Sequence, residues 1–225
     1  MVPYRVPVAA LFAAGALSAC SPLMRGAVDT FRASVASPPE LNVKRDDVMA
    51  RPRYQLRLDS PFGAAVMVLG RVTGSEEYWV TSSRQVFVIE HGLIRRSAGF
   101  PENLEGTRFI AESGQSPDPF VAGLHRIGTD TYSTREVDWM PGYRYGVRIR
   151  SRFQRVGIEE HEILGERRSL LHIDEHLRGE GTGFEATNRY WVDPQDGFVF
   201  ISEQSLFPGL SVRLTQLRPR REASR

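Results

Sequence analysis

His172, Asp174 and His176 stand at alternate positions of one apolar-flanked segment, the spacing that puts side chains on a single face of a strand. Neighbouring members of such a row are about 6.6–7 Å apart and could share a metal ion. The two histidines are about 13 Å apart on a straight strand, so a metal would need Asp174, one histidine and ligands from elsewhere. The competing reading is a solvated polar face backing Leu171, Ile173 and Leu177, and no metal or other cofactor is assigned. Arg148, Arg150 and Arg152 form a second alternating row, with Val147, Ile149 and Phe153 opposite, and Glu159, Glu160 and Glu162 follow on the next expected strand. Two chemistries fit: cross-strand ion pairing on the wet side of a sheet, or a surface of planar guanidinium forks that grips the carboxylates of an acidic polymer. Trp79 alternates with Glu77 and Thr81, and Trp191 with Arg189 and Asp193, so both indoles fall on the more polar side of their strands. There they are either stacking platforms for sugar rings, with Arg189 beside Trp191, or core residues beneath a second layer.

Catalytic signals are weaker. Ser82, Ser83 and Ser133 have no Gly-x-Ser-x-Gly elbow and no histidine–aspartate context. Glu159, Glu160, Glu162, Asp174 and Glu175 could supply a carboxylate pair for glycoside hydrolysis, but a chain this rich in acids always offers such pairs. No phosphate-cradling glycine motif is present. The expectation is a protein without catalytic residues.

The elements that must position these residues are strands. From Arg53 onward, short alternating or apolar runs follow one another: Tyr54–Leu58, Ala64–Leu69, Tyr78–Thr81, Gln85–Glu90, Leu93–Arg96, Tyr132–Trp139, Tyr145–Val156, Ile158–Leu164, Arg168–Leu177, Phe184–Val192, Phe198–Leu206 and Leu210–Leu217. Asp193-Pro194-Gln195-Asp196-Gly197 reads as a hairpin turn, because proline presets φ and glycine accepts a positive one. Ser113–Pro119 reads as a loop. Helix is expected only before the strands, over Gly26–Ala36 and in a brief turn capped by Asp46 or Asp47 and stopped by Pro52. The fold class is therefore all-β: an antiparallel meander of about ten or more strands, closed or partly closed as a barrel or sandwich, behind a short helical tether.

Composition limits the partners. The chain has 29 basic and 27 acidic residues, a net charge of +2 and a single lysine, Lys44, which is not the basic excess of a nucleic-acid binder. Cys20 is the lone cysteine, so no intrachain disulfide or cysteine-based zinc site can form. Its position carries more information than its number. Arg5 gives a positive start, Val6–Ala16 is apolar and too short for a stable membrane span, and Leu17-Ser18-Ala19 places small residues before Cys20. This segment resembles the lipobox of bacterial lipoproteins. The resemblance implies removal of residues 1–19, acylation of Cys20 (palmitate among the chains) and, with Ser21 rather than Asp next, retention at the outer membrane. The expected organisation is signal peptide 1–19, lipidated tether 20–45, β-rich domain 46–218 and polar tail 219–225.

The body resembles the YjbF/GfcB lipoproteins of exopolysaccharide and group 4 capsule production. Three stretches carry the likeness: Tyr54–Gly70 with Glu77-Tyr78-Trp79-Val80-Thr81, His91-Gly92-Leu93-Ile94 and Gly99-Phe100; Asp138-Trp139 through Tyr145 to Ile163-Leu164-Gly165; and Asn188-Arg189-Tyr190-Trp191-Val192-Asp193-Pro194 through Gly197 to Ser202 and Gln204. Leu93 stands where the family often has Arg. The likeness spans roughly residues 20–218 and implies an outer-membrane lipoprotein that assists polysaccharide secretion; the expectation built on it is a non-enzymatic accessory, attached by its lipid and facing the periplasm, that binds acidic polymer, export proteins or both, and the charge balance gives no nucleic-acid partner. The likeness transfers no catalytic residue. Two rivals remain on the residues alone. One is a periplasmic lipid or lipoprotein carrier, which needs a continuous apolar cavity. The other is a polysaccharide-modifying enzyme, which needs two carboxylates suitably spaced in a groove.

Overall fold

The computed structural model describes residues 41–113, 118–128 and 131–221. Cys20, the segment before it and the helix expected over 26–36 lie outside the described residues. A short helix α1 (Arg45–Met49) leads into β1 (Gln55–Ser60), β2 (Gly63–Thr73), β3 (Glu76–Val80), β4 (Val86–Glu90), β5 (Leu93–Ala98) and β6 (Asn103–Ile110). After α2 (Pro119–Ala122) and a single 3-10 turn at Leu124–Arg126 come β7 (Thr131–Met140), β8 (Arg144–Ile163), β9 (Glu166–Gly179), β10 (Glu185–Val192), β11 (Val199–Phe207) and β12 (Leu210–Arg218). Lys44, not an aspartate, holds the N-cap of α1; Asp46 and Asp47 lie in its first turn, where negative charge complements the exposed N–H groups.

The strands make one antiparallel sheet in the order β5-β4-β3-β2-β1-β12-β11-β10-β9-β8-β7-β6. Each ladder joins strands consecutive in the chain, except that β1 pairs with β12, Leu58 opposite Leu214. Closing the first strand on the last in this way bends the meander into a nearly closed barrel, the all-β architecture expected. The two ends of the order, β5 and β6, are themselves consecutive. They meet without a ladder, bridged where the Leu104 N–H donates to Ser97 Oγ at 2.9 Å.

Three features differ from the sequence reading, the first being that α2 and the 3-10 turn fall between β6 and β7, where no helix is expected. β6 had no period-2 signal, because Gly106 interrupts it and its register against β7 shifts between Leu104 and Gly106. Tyr145–Val156 and Ile158–Leu164 are one 20-residue strand, β8, whose register on β9 shifts at Gly157. The glycine bends a strand instead of ending it.

The hairpin at 193–197 is as expected. The Asp193 N–H donates to the Phe198 carbonyl at 2.8 Å, and the Asp193 and Asp196 carboxylates accept from the Gln195 and Phe198 N–H groups, each at 2.9 Å. Gly197 sits at φ +78°, and a Cβ there would lie 2.2 Å from His125 Nδ1. Gly197→Val should therefore destabilise the fold by about 1 kcal/mol from backbone strain alone, and by more through the collision with His125. Thermal melting of the variant checks this; an unchanged midpoint would contradict it.

The barrel interior is filled. Leu56, Leu58, Met67, Trp79, Phe87 and Trp139 are among the side chains packed in one part. Phe120, from the segment between β6 and β7, closes another part, with its ring 5.2 Å from Tyr190 and 6.0 Å from Phe153. The void between Ile94, Thr107, Trp139 and Leu206 has a volume of about 20 Å³, room for at most about one water. That interior void is too small for an acyl chain. Among the described residues, no helix is long and apolar enough to cross a membrane.

Candidate functional site

The arginine row lies on the outer wall of the barrel, as the alternation of β8 demands. Arg150 and Arg152 come from β8, Tyr132 from β7, His176 and Arg178 from β9, and Thr187 from β10; together they line an open depression of about 1160 Å³. Their juxtaposition follows from register, with Arg152 flanked by Tyr132 and His176, and His176 by Thr187. The expected cross-strand pairing with Glu159, Glu160 and Glu162 does not occur, because those residues lie further along the same strand. Arg150 instead meets Glu180 at 2.6 Å, and Arg148 approaches Glu136 at 3.8 Å. Arg152 is exposed and has no acidic partner among the described residues. Arg178 contacts Glu185 at 2.9 Å, with both side chains mostly in solvent, where such pairs contribute roughly 0–1 kcal/mol and are readily exchanged for another anion.

Of the two readings left open for the tryptophans, stacking platform or covered residue, the structure shows both rings buried. Trp79 is fully enclosed in the core. Glu77 does share its side of β3, but as the acceptor of the indole N–H at 3.0 Å. Trp191 does lie on the outer wall, under a layer of its own. Its ring stacks on His172 at 4.7 Å, meets the edge of His161 at 5.2 Å and carries the Arg213 guanidinium at 5.1 Å. Its N–H donates to Glu159 Oε2 at 2.7 Å. Neither indole presents a free face for a sugar. Arg189, beside Trp191, is half-exposed and held by Glu203 at 3.0 Å, which in turn pairs with Arg213 at 2.5 Å.

The His172–Asp174–His176 row does share the outer face. His172 Nδ1 bonds Glu159 Oε1 at 2.7 Å and His176 Nδ1 bonds Thr187 Oγ1 at 3.1 Å, whereas His172 Nε2 and Asp174 Oδ1 approach to 3.0 Å without hydrogen-bond geometry. Among the described residues no three ligand-type side chains converge on a point. The indole N–H of Trp191, then His172 and His161, hold the Glu159 carboxyl below the usual carboxylate range.

Sequence reasoning missed the buried polar centre of the barrel. Glu175, named above only as one of five acids that could supply a carboxylate pair, is fully enclosed and receives Arg135 Nη1 at 2.5 Å, Ser151 Oγ at 2.7 Å, and Asn188 Nδ2 and Tyr190 Oη at 3.0 Å each. Burial, then the negative charge of Glu175, pushes the Tyr190 hydroxyl well above its ordinary pKa. A carboxylate saturated in this way is a structural anchor and has no free lone pair for substrate chemistry. Arg135 and Glu175 are 40 positions apart and on different strands, so no local pattern could reveal the pair.

Comparison with known proteins agrees with this geometry. The family described as "Group 4 capsule polysaccharide lipoprotein gfcB, YjbF" matches residues 28–217. The uncharacterized lipoprotein GfcB of Escherichia coli (strain K12) is 26% identical over 223 residues, 97% of this chain and 99% of that protein. The crystal structure of the hypothetical lipoprotein YmcC from Escherichia coli (K12) superposes with a TM-score of 0.70 at 26% identity, covering 87% of this chain and 97% of that one. A twelve-stranded near-barrel with a filled core, matched along almost its whole length, makes this chain a member of the YjbF/GfcB family of group 4 capsule polysaccharide lipoproteins.

Proposed function

We propose that the protein is an outer-membrane lipoprotein acting as a non-enzymatic accessory in exopolysaccharide or capsule secretion, and that it works by holding acidic polymer against the arginine depression. On this reading residues 1–19 are removed, Cys20 is acylated, residues 20–45 tether the barrel on the periplasmic side, residues 46–218 form the working domain and 219–225 are a polar tail. One observation carries the binding role: Arg150, Arg152 and Arg178 converge from two strands on one open concavity, outnumbering Glu112 and Glu185 in its lining, with Tyr132, His176 and Thr187 beside them. Planar guanidinium groups can accept a carboxylate bidentately, and hydroxyls and an imidazole alongside suit the hydroxyls of a sugar. The filled core supports this reading over a lipid carrier.

The test is binding of surface polysaccharide, purified from the bacterium that makes the protein, to the parent and to a variant carrying Arg148→Glu, Arg150→Glu and Arg152→Glu. The variant should bind more weakly, and the deficit should be largest at low salt, since exposed charges are screened beyond about 8–10 Å at physiological ionic strength. Bound polymer should also raise the melting temperature of the parent. If the parent shows neither binding nor a shift, while export proteins are still captured from envelope extracts, the protein is a scaffold for the exporter and the polymer reading is wrong.

A further inference from the structure

The turn joining β7 to β8 holds a conformation that its sequence resists. Tyr143 sits at φ +53°, in the left-handed region that side chains other than Gly, Asn and Asp seldom occupy. The cost is not offset by burial: Tyr143 is 75% exposed and Tyr145, two residues on, is 60% exposed, its hydroxyl donating to Met140 Sδ at 3.5 Å. Their ring centroids are 6.4 Å apart and tilted by 53°. The support beneath them is firm. Arg144, between the two, stacks on buried Trp139 at 5.0 Å and pairs with Glu102 at 2.9 Å. The Gly146 N–H donates to Asp138 Oδ1 at 2.8 Å, and Asp138 is fixed by Arg108 at 2.7 Å. Thus two large rings are presented to solvent on a braced turn, at a position where glycine or asparagine would fit the backbone better. Strain kept without a packing gain marks a site with work to do outside the fold.

We infer that Tyr143 and Tyr145 form an aromatic platform on which pyranose rings of the polymer stack, a second subsite at the beginning of the strand that carries Arg148, Arg150 and Arg152. The inference rests on the polymer-binding reading and deepens it. An aromatic face suits a sugar, whose C–H face is apolar while its rim is hydroxylated. The surroundings favour a sugar chain over a folded protein. Two aromatic side chains bury about 300–500 Å² at most, below the roughly 800 Å² per partner of a stable protein interface. Tyr145 and Arg150 are five residues apart and, with Gly146 at φ +63° breaking the extended run between them, at most about 17 Å apart, a span one polymer can bridge. The platform would read ring faces without regard to charge, and the arginines would read carboxylates.

The decisive comparison uses the same purified surface polysaccharide and the variants Tyr143→Asn and Tyr143→Asn/Tyr145→Ser. The single variant should melt no lower than the parent, because asparagine tolerates this backbone. Polymer binding should fall about ten-fold in the double variant, equally at low and high salt, as loss of stacking and not of charge requires. Wild-type binding by a folded double variant would overturn the platform and leave the arginine reading standing. Absence of polymer binding by the parent would overturn both. Loss of a captured export protein, with polymer binding intact, would reassign the tyrosines to a protein contact and likewise overturn the proposal. A melting temperature lowered by Tyr143→Asn would show that the tyrosine serves the fold, which removes the argument at its root.

Discussion

Glu175→Ala should cost about 3–5 kcal/mol of stability, the range for breaking one side of a buried ion pair. The loss follows from what remains: Arg135, itself buried, would keep its charge with no counter-ion, and Ser151, Asn188 and Tyr190 would each lose an acceptor. Against a typical domain stability of about 5–15 kcal/mol, that is a large share. Denaturant unfolding followed by tryptophan fluorescence measures it. The double replacement Arg135→Met/Glu175→Leu should recover much of the loss, since an apolar pair of similar volume avoids the desolvation of two charges. A single variant that unfolds within about 1 kcal/mol of the parent would show that the centre of the barrel is wet.

Trp79→Ala should be comparably severe, at about 3–5 kcal/mol for removing a fully enclosed indole. The variant also separates two roles between which the strand pattern could not choose. A surface platform would lose ligand and keep its stability; a core residue loses stability first. Near-parental unfolding would return Trp79 to the surface.

Trp79 shows why part of the molecule was legible in its sequence and part was not. Alternation assigns residues to two faces but does not say which face is wet. Glu77 lies on the inner side and still has a partner there, so polarity pointed the wrong way. Trp191 was placed on the correct wall, and its cover came from residues on other strands, Glu159, His161 and Arg213. The Asp193–Gly197 hairpin was legible because its chemistry is local. Most of the strands were legible for the same reason. β6 was not, since Gly106 breaks its pattern, and the continuity of β8 was hidden by a glycine that elsewhere ends strands. The arginine row was found by spacing alone, but its partners were not, because they depend on register. Tyr143 gave no signal at all: a tyrosine near two glycines looks ordinary until its φ is known.

The β1–β12 ladder bears on the order in which the chain can fold. Every other pairing joins neighbours in sequence and can form as each hairpin is completed, whereas Gln55 finds Arg218 only when the last strand has arrived. A chain delivered from its N-terminus must hold β1 with one open edge for the whole of that interval. Open edges recruit strands from other molecules, and charges along them discourage it. Arg57 and Asp59 occupy alternate positions of β1 and bond to each other at 2.8 Å. They face the outer wall, where they later lie opposite Thr215 and Arg213. The same two residues that finish as part of the barrel surface thus guard the unfinished edge against strand exchange between copies that are still folding.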